Sequence, residues 1–100
     1  MEPPRFRGLP TAVIGGVRVP VAATFASRML GLAFLDRCSA GNGLLIPRCR
    51  AIHSFGMRFD LQLAWLGSEG EIVREACVGP RRFASCREAA AVLELPSPGV

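Results

Sequence analysis

The feature that most constrains this chain is the run Phe59 to Leu66 (FDLQLAWL), followed at once by Gly67-Ser-Glu-Gly70 and then Glu71 to Val78 (EIVREACV). Phe59, Leu61, Leu63 and Trp65 alternate with Asp60, Gln62 and Ala64. Successive side chains of a strand point to opposite faces, so this alternation predicts a half-buried strand. The glycines supply a turn, and Ile72, Val73 and Val78 bring β-branched residues back along it. Residues 59–78 are therefore predicted to form a hairpin.

The other segments fit a sheet. Thr11-Ala-Val-Ile and Val17-Arg-Val-Pro-Val flank Gly15-Gly16, a glycine pair able to take the positive φ of a hairpin turn. Leu44-Leu-Ile-Pro is a short apolar run stopped by Pro47, and Arg50-Ala-Ile-His starts another. Only one segment has helical spacing: Phe25, Met29, Leu32 and Ala33 recur at i, i+4, i+7 and i+8 behind Thr24, a good N-cap. Gly31 weakens that helix by up to ~1 kcal/mol relative to alanine, and Asp36-Arg37-Cys38-Ser39 ends it. Ala89 to Leu95 reads as a short helix or as a strand ending at Pro96, and periodicity leaves both open. The predicted class is α+β, mainly β: a compact antiparallel or barrel-like sheet with one short helix near residues 24–34. Residues 1–10, with three prolines, form an irregular lead-in to a single domain at 11–100.

Twelve basic residues face eight acidic ones, and all twelve are arginine. Such usage is the imprint of a GC-rich genome, so the charge of +4 gives only a mild bias toward anionic partners. Cys38, Cys49, Cys77 and Cys86 form no CxxC pair and no disulfide framework, which points to a reducing, cytoplasmic setting. No apolar stretch reaches the ~18 to 20 residues of a spanning helix, so no membrane embedding is expected.

Thr24-Phe-Ala-Ser-Arg-Met-Leu-Gly-Leu, Gly43-Leu-Leu-Ile, Cys49-Arg-Ala-Ile-His-Ser-Phe-Gly-Met-Arg-Phe, Gly70-Glu-Ile-Val and Ala91-Val-Leu-Glu-Leu-Pro follow one another in an order and spacing that resemble the domain-of-unknown-function 192 family. The resemblance covers residues 17 to 96, and its most specific part is His53 to Phe59. It implies a compact α+β domain with a dominant sheet, from a family of bacteria and archaea with no established activity. It therefore brings no catalytic residue with it. Family members usually continue the central motif as Phe, Pro, an aliphatic residue and Asp, where this chain has Asp60 and Gln62 at the Pro and Asp places. Asp60 is the acid that could stand in on the same strand face. Members also commonly run on past the Leu-Pro motif. The corresponding expectation is a last strand that is either missing or supplied by a partner, as in a homodimer formed by edge pairing.

Cys49, His53 and Met57 lie at four-residue intervals and carry side chains that suit copper or zinc. The chain has one histidine, so the favoured reading makes Cys49 and Met57 core fillers and His53 a local hydrogen-bonding group, with no metal and no cofactor. Cys49, His53 and Asp60 also have the residue types of a thiol nucleophile, its base and its orienter, but no nucleophile elbow surrounds Cys49. Arg48, Arg50 and Arg58, with Arg81-Arg82, could grip an oxyanion beside Phe55 and Phe59. No nucleic-acid signature is present. The expectation is a non-enzymatic module that binds a small anionic ligand or a protein partner through Arg50, His53, Phe55, Met57, Arg58 and Asp60. A thiol- or metal-dependent enzyme centred on Cys49 and His53 is the alternative.

Overall fold

The computed structural model describes residues 4–35, 41 and 43–97, with the backbone alone at Pro4 and Phe25. Among the described residues the fold has eight strands and one short helix: β1 (Thr11–Ile14), β2 (Val17–Pro20), α1 (Phe25–Leu30), β3 (Leu44–Pro47), β4 (Ala51–His53), β5 (Leu61–Leu66), β6 (Ile72–Val78), β7 (Phe83–Ser85) and β8 (Ala91–Pro96). The main sheet is antiparallel in the order β3-β8-β5-β6, with β1-β2 and β4-β7 as two-stranded ribbons beside it. It is open, not a closed barrel. The ambiguous segment at 89–95 is thus resolved as β8, which has neighbours on both sides. The outer edges of the sheet are β3 and β6.

The hairpin predicted from the alternation is present, with Leu61 opposite Val78 and Trp65 opposite Arg74, and a register shift between Trp65 and Leu66. Strand β5 is more deeply buried than half. Leu61, Leu63 and Trp65 join the larger core, while Ala64 and Leu66 join a second cluster with Val19 and Leu93 on the other face. The extra burial comes from partners distant in sequence: β8 lies alongside β5, and the second cluster takes in Val19 of β2 with Ile14 of β1 packed against it. The hairpin around Gly15-Gly16 is also as predicted, with Ile14 opposite Val17. In the lead-in, Pro4–Phe6 forms a single 3-10 turn, and Phe6 is 2% exposed within the larger core.

The helix starts where the sequence placed it. The Thr24 side chain accepts from the Ser27 backbone N–H at 3.1 Å, and the Ser27 hydroxyl accepts from the Thr24 backbone N–H at 3.1 Å. This reciprocal box satisfies two N–H groups that would otherwise lack partners. The helix ends earlier than the expected residue 34, because Gly31 takes φ 51° and turns follow it. Leu32 and Ala33 are buried but lie beyond the helix, and Met29 is 53% exposed, so the expected continuous apolar face is not formed. The Phe25 side chain and Asp36 to Ser39, including Cys38, lie outside the described residues.

The loop carrying the central motif depends on Gly56. It has φ 84°, and a Cβ there would stand 2.8 Å from the Phe34 ring, while the Phe34 N–H donates to the Gly56 carbonyl at 2.7 Å. Gly56→Ala is expected to lose about 1–3 kcal/mol in urea denaturation, from strained φ and steric overlap together. In a double-mutant cycle, Phe34→Ala should relieve the steric part of that loss and leave the φ part. Equal losses in both backgrounds would show that the ring contact does not matter.

Candidate functional site

A cleft of about 230 Å³ lies between the C-terminal end of α1 and strands β3, β4 and β8. Its walls are largely apolar, from Met29, Ile46 and Ile52, and its polar groups are Glu94, His53, Cys49 and Arg28. Glu94 arrives there by strand alternation. On β8, Leu93 and Leu95 pack with the second cluster and Val92 with the larger core, so Glu94, two residues from Val92, shares its face. Its cross-strand neighbours are Leu44 of β3 and Leu63 of β5.

The carboxyl group is therefore set among leucines, and Glu94 is 2% exposed. Two glycines make the room. A Cβ on Gly31 would stand 2.6 Å from Glu94 Oε1, and one on Gly43 would collide with the Glu94 backbone oxygen. The Leu32 backbone N–H donates to the carboxyl, yet Oε1 has no hydrogen-bond partner among the described residues. Burial pushes the pKa up to about 7, against the opposing pull of the Leu32 N–H. A buried polar atom without a partner costs stability that a leucine at this position would not. Such groups in a cleft are characteristic of functional sites.

The other polar groups are held more conventionally. His53 ends β4, and its Nδ1 accepts from the Phe55 backbone N–H at 3.3 Å, which places the proton of the neutral ring on Nε2. Its ring tilts against Phe55 at 5.9 Å, and Phe55 meets Phe83 edge-on at 5.2 Å. Cys49 Sγ donates to the Ala51 carbonyl at 3.1 Å. Burial pushes its thiol pKa up, although the Arg28 guanidinium nearby favours the thiolate. Arg28 ties the helix to the end of β3 by donating to the Pro47 carbonyl at 2.8 Å.

Of the residues expected from the sequence, Cys49 and His53 open onto this cleft. Met57 is 7% exposed in the larger core. Phe55 and Arg58 are exposed, and Asp60 is exposed with its carbonyl taking the Ser97 N–H at 2.9 Å. Arg50 donates from Nε to the Ala89 carbonyl at 3.3 Å and borders a separate, more open depression of about 600 Å³ with Arg48 and Glu88. The arginines of the sequence pattern therefore do not converge on the cleft, whose cation is Arg28. Among the described residues, no three His, Cys, Asp or Glu side chains come together where a metal ion could sit. No helix among them is long and apolar enough to cross a membrane.

Sequence reasoning missed Glu94 and Ser54. Ser54 is fully buried and fastens the loop before β7: its hydroxyl donates to the Gly79 carbonyl at 2.6 Å and accepts from the Arg82 N–H at 2.8 Å. The signal for Glu94 was a lone acid inside Ala89-Ala-Ala-Val-Leu-Glu-Leu, legible only once that run is taken as a strand.

A carboxyl whose pKa is higher folded than unfolded keeps its proton longer in the folded state. Its stabilising contribution is complete below the unfolded value of 4.5 and is lost as pH rises to about 7. The isosteric variant Glu94→Gln lacks this dependence. The stability of Glu94→Gln relative to the native chain should therefore rise by about 3 kcal/mol between pH 4.5 and pH 8, as read by denaturation at each pH. Parallel stability curves for the two proteins would contradict the burial of this group.

No curated protein and no solved structure matches the chain. A family model, described as uncharacterised ACR, matches residues 11–99 and so spans the hairpin β1-β2, the main sheet and every residue of the cleft. The chain belongs to the domain-of-unknown-function 192 family (DUF192).

Proposed function

We propose that this domain is a non-enzymatic binding module whose site is the cleft floored by Glu94 and walled by His53, the first residue of the central motif. One observation carries the reading: a carboxyl oxygen without a partner among the described residues, on a residue 2% exposed, at a cleft with largely apolar walls. A bound molecule with a hydrogen-bond donor would supply what the fold leaves missing. At about 230 Å³, the space suits a small metabolite better than the drug-sized ligands that occupy roughly 300–1,000 Å³. A reducing, cytoplasmic setting agrees with Cys49, Cys77 and Cys86 all being free thiols.

The second reading, a thiol enzyme, is favoured by Cys49 and His53 opening onto one cleft. It requires a thiolate near neutral pH, whereas Cys49 is half-buried and that burial pushes its thiol pKa up, away from the thiolate. The two readings separate by alkylation. With iodoacetamide at pH 7.5, exposed Cys77 should label faster than Cys49. Selective, rapid labelling of Cys49 would transfer the assignment to the enzyme reading.

The binding reading is tested by screening a library of small fragments by NMR on the isotopically labelled protein. Hits should shift resonances of Gly31, Ile46, Ile52 and His53, and Met29→Trp, which fills the mouth of the cleft from an exposed position, should weaken them at least tenfold. Hits confined to the depression at Arg48 and Arg50 would place the site there and refute the cleft.

A further inference from the structure

The cleft has two unlike poles. At its floor is the Glu94 carboxyl, with Oε1 unpartnered among the described residues. Arg28 also lines it and is exposed to solvent, with its Nη1 directed to the Pro47 carbonyl. Between them run the apolar side chains of Met29, Ile46 and Ile52. Burying a charge is tolerated when an opposite charge with hydrogen-bond donors meets it, so the group best matched to the floor is an ammonium. A simple cation is poorly matched to the rest, because it would approach a protein of charge +4 past a guanidinium. An anionic group at the other end of the same molecule removes that conflict and gives Arg28 an oxyanion to hold.

We infer that the cleft takes a small zwitterion, with its ammonium donating to Glu94 Oε1, its short carbon chain against Met29, Ile46 and Ile52, and its carboxylate toward Arg28. This rests on the cleft being the binding site. It narrows the ligand class from any small donor-bearing molecule to an amino acid or a close relative. His53 and Cys49, the other titratable groups facing the cleft, contribute a ring N–H and a thiol along the wall.

Proton linkage follows from the pairing. The ammonium needs the ionised carboxylate, and Glu94 holds its proton up to about pH 7. Binding below that pH must expel the proton, so affinity should fall toward tenfold per pH unit as the solution is acidified, and should level off above pH 7.

The test uses the intact protein and the ω-amino acids from glycine to 6-aminohexanoate, with butylammonium, butyramide and butyrate as probes, followed by NMR shifts and by calorimetry in two buffers at pH 6. The expected result is that one chain length among the amino acids binds at least tenfold more tightly than butylammonium, butyramide or butyrate, and releases protons on binding. Glu94→Gln should abolish the proton release and the pH dependence, while Glu75→Gln, at an exposed acid of β6 outside the cleft lining, keeps both. Arg28→Gln should bring the best amino acid down to the level of butylammonium. Butyrate or butyramide binding as well as the amino acids, or affinity that falls as pH rises, would overturn the zwitterion while leaving the cleft as the site. Probes that shift no cleft resonance, together with fragment hits elsewhere, would overturn both. Should Glu94→Gln fail to fold, the proton release of the native protein at pH 6 still decides, since a ligand that leaves Glu94 protonated releases none.

Discussion

The burial of one carboxyl group organises the local structure of this domain. Glu94 occupies a position on β8 whose cross-strand neighbours are Leu44 and Leu63, where an aliphatic side chain would stabilise the sheet by about 1.5–3 kcal/mol. Accommodating an acid there governs what surrounds it. Gly31 must lack a side chain, so α1 ends after Leu30; Gly43 must also lack one, so that the chain can enter β3 beside the Glu94 backbone. The turn after α1 then presents the Leu32 N–H to the carboxyl. Two of the glycine-containing motifs and the Leu-Glu-Leu motif are thus parts of a single packing arrangement.

The rest of the central motif is mainly a scaffold for the cleft. Met57 and Phe59 anchor the loop in the core, Ser54 fastens it to the segment at Gly79 and Arg82, and Gly56 passes beneath Phe34. His53 is left at the wall, its Nδ1 engaged by the backbone and its orientation thereby fixed. Rigid support on strands β3, β4 and β8 is what allows so small a chain to hold an unpaired polar atom away from water.

Where the fold was legible in the sequence, the signal was local. The alternation through Phe59 to Leu66 and the turn at Gly67 to Gly70 specify the β5-β6 hairpin, Gly15-Gly16 specifies β1-β2, and Thr24 specifies the start of α1. Features that depend on distant partners were not legible. The double-sided burial of β5 needs β8 and the β1-β2 ribbon, and the early end of α1 needs Glu94, 63 positions after Gly31 in the chain. Of the residues lining the proposed cleft, His53 and Cys49 drew notice in the sequence because an imidazole and a thiol announce their chemistry. Glu94 did not, because the run from Ala89 to Leu95 fits a helix or a strand equally, and the face of its acid is defined only once the strand register is known. The arginine pattern around His53 pointed to an anion grip, but alternation and turns carry Arg50 to a different depression, and the arginine at the cleft comes from the helix.

The measurement that tests this account most directly is the titration of the Glu94 side-chain carboxyl in the free protein, followed by carbon-13 NMR from pH 3 to pH 9. Burial without a full set of partners disfavours the charged form, so the expected midpoint lies near 7, well above that of an ordinary glutamate. A midpoint near 4.5 would show a solvated or well-partnered carboxylate. The unpaired acid at the floor of the cleft would then not exist, and the binding reading would lose its foundation.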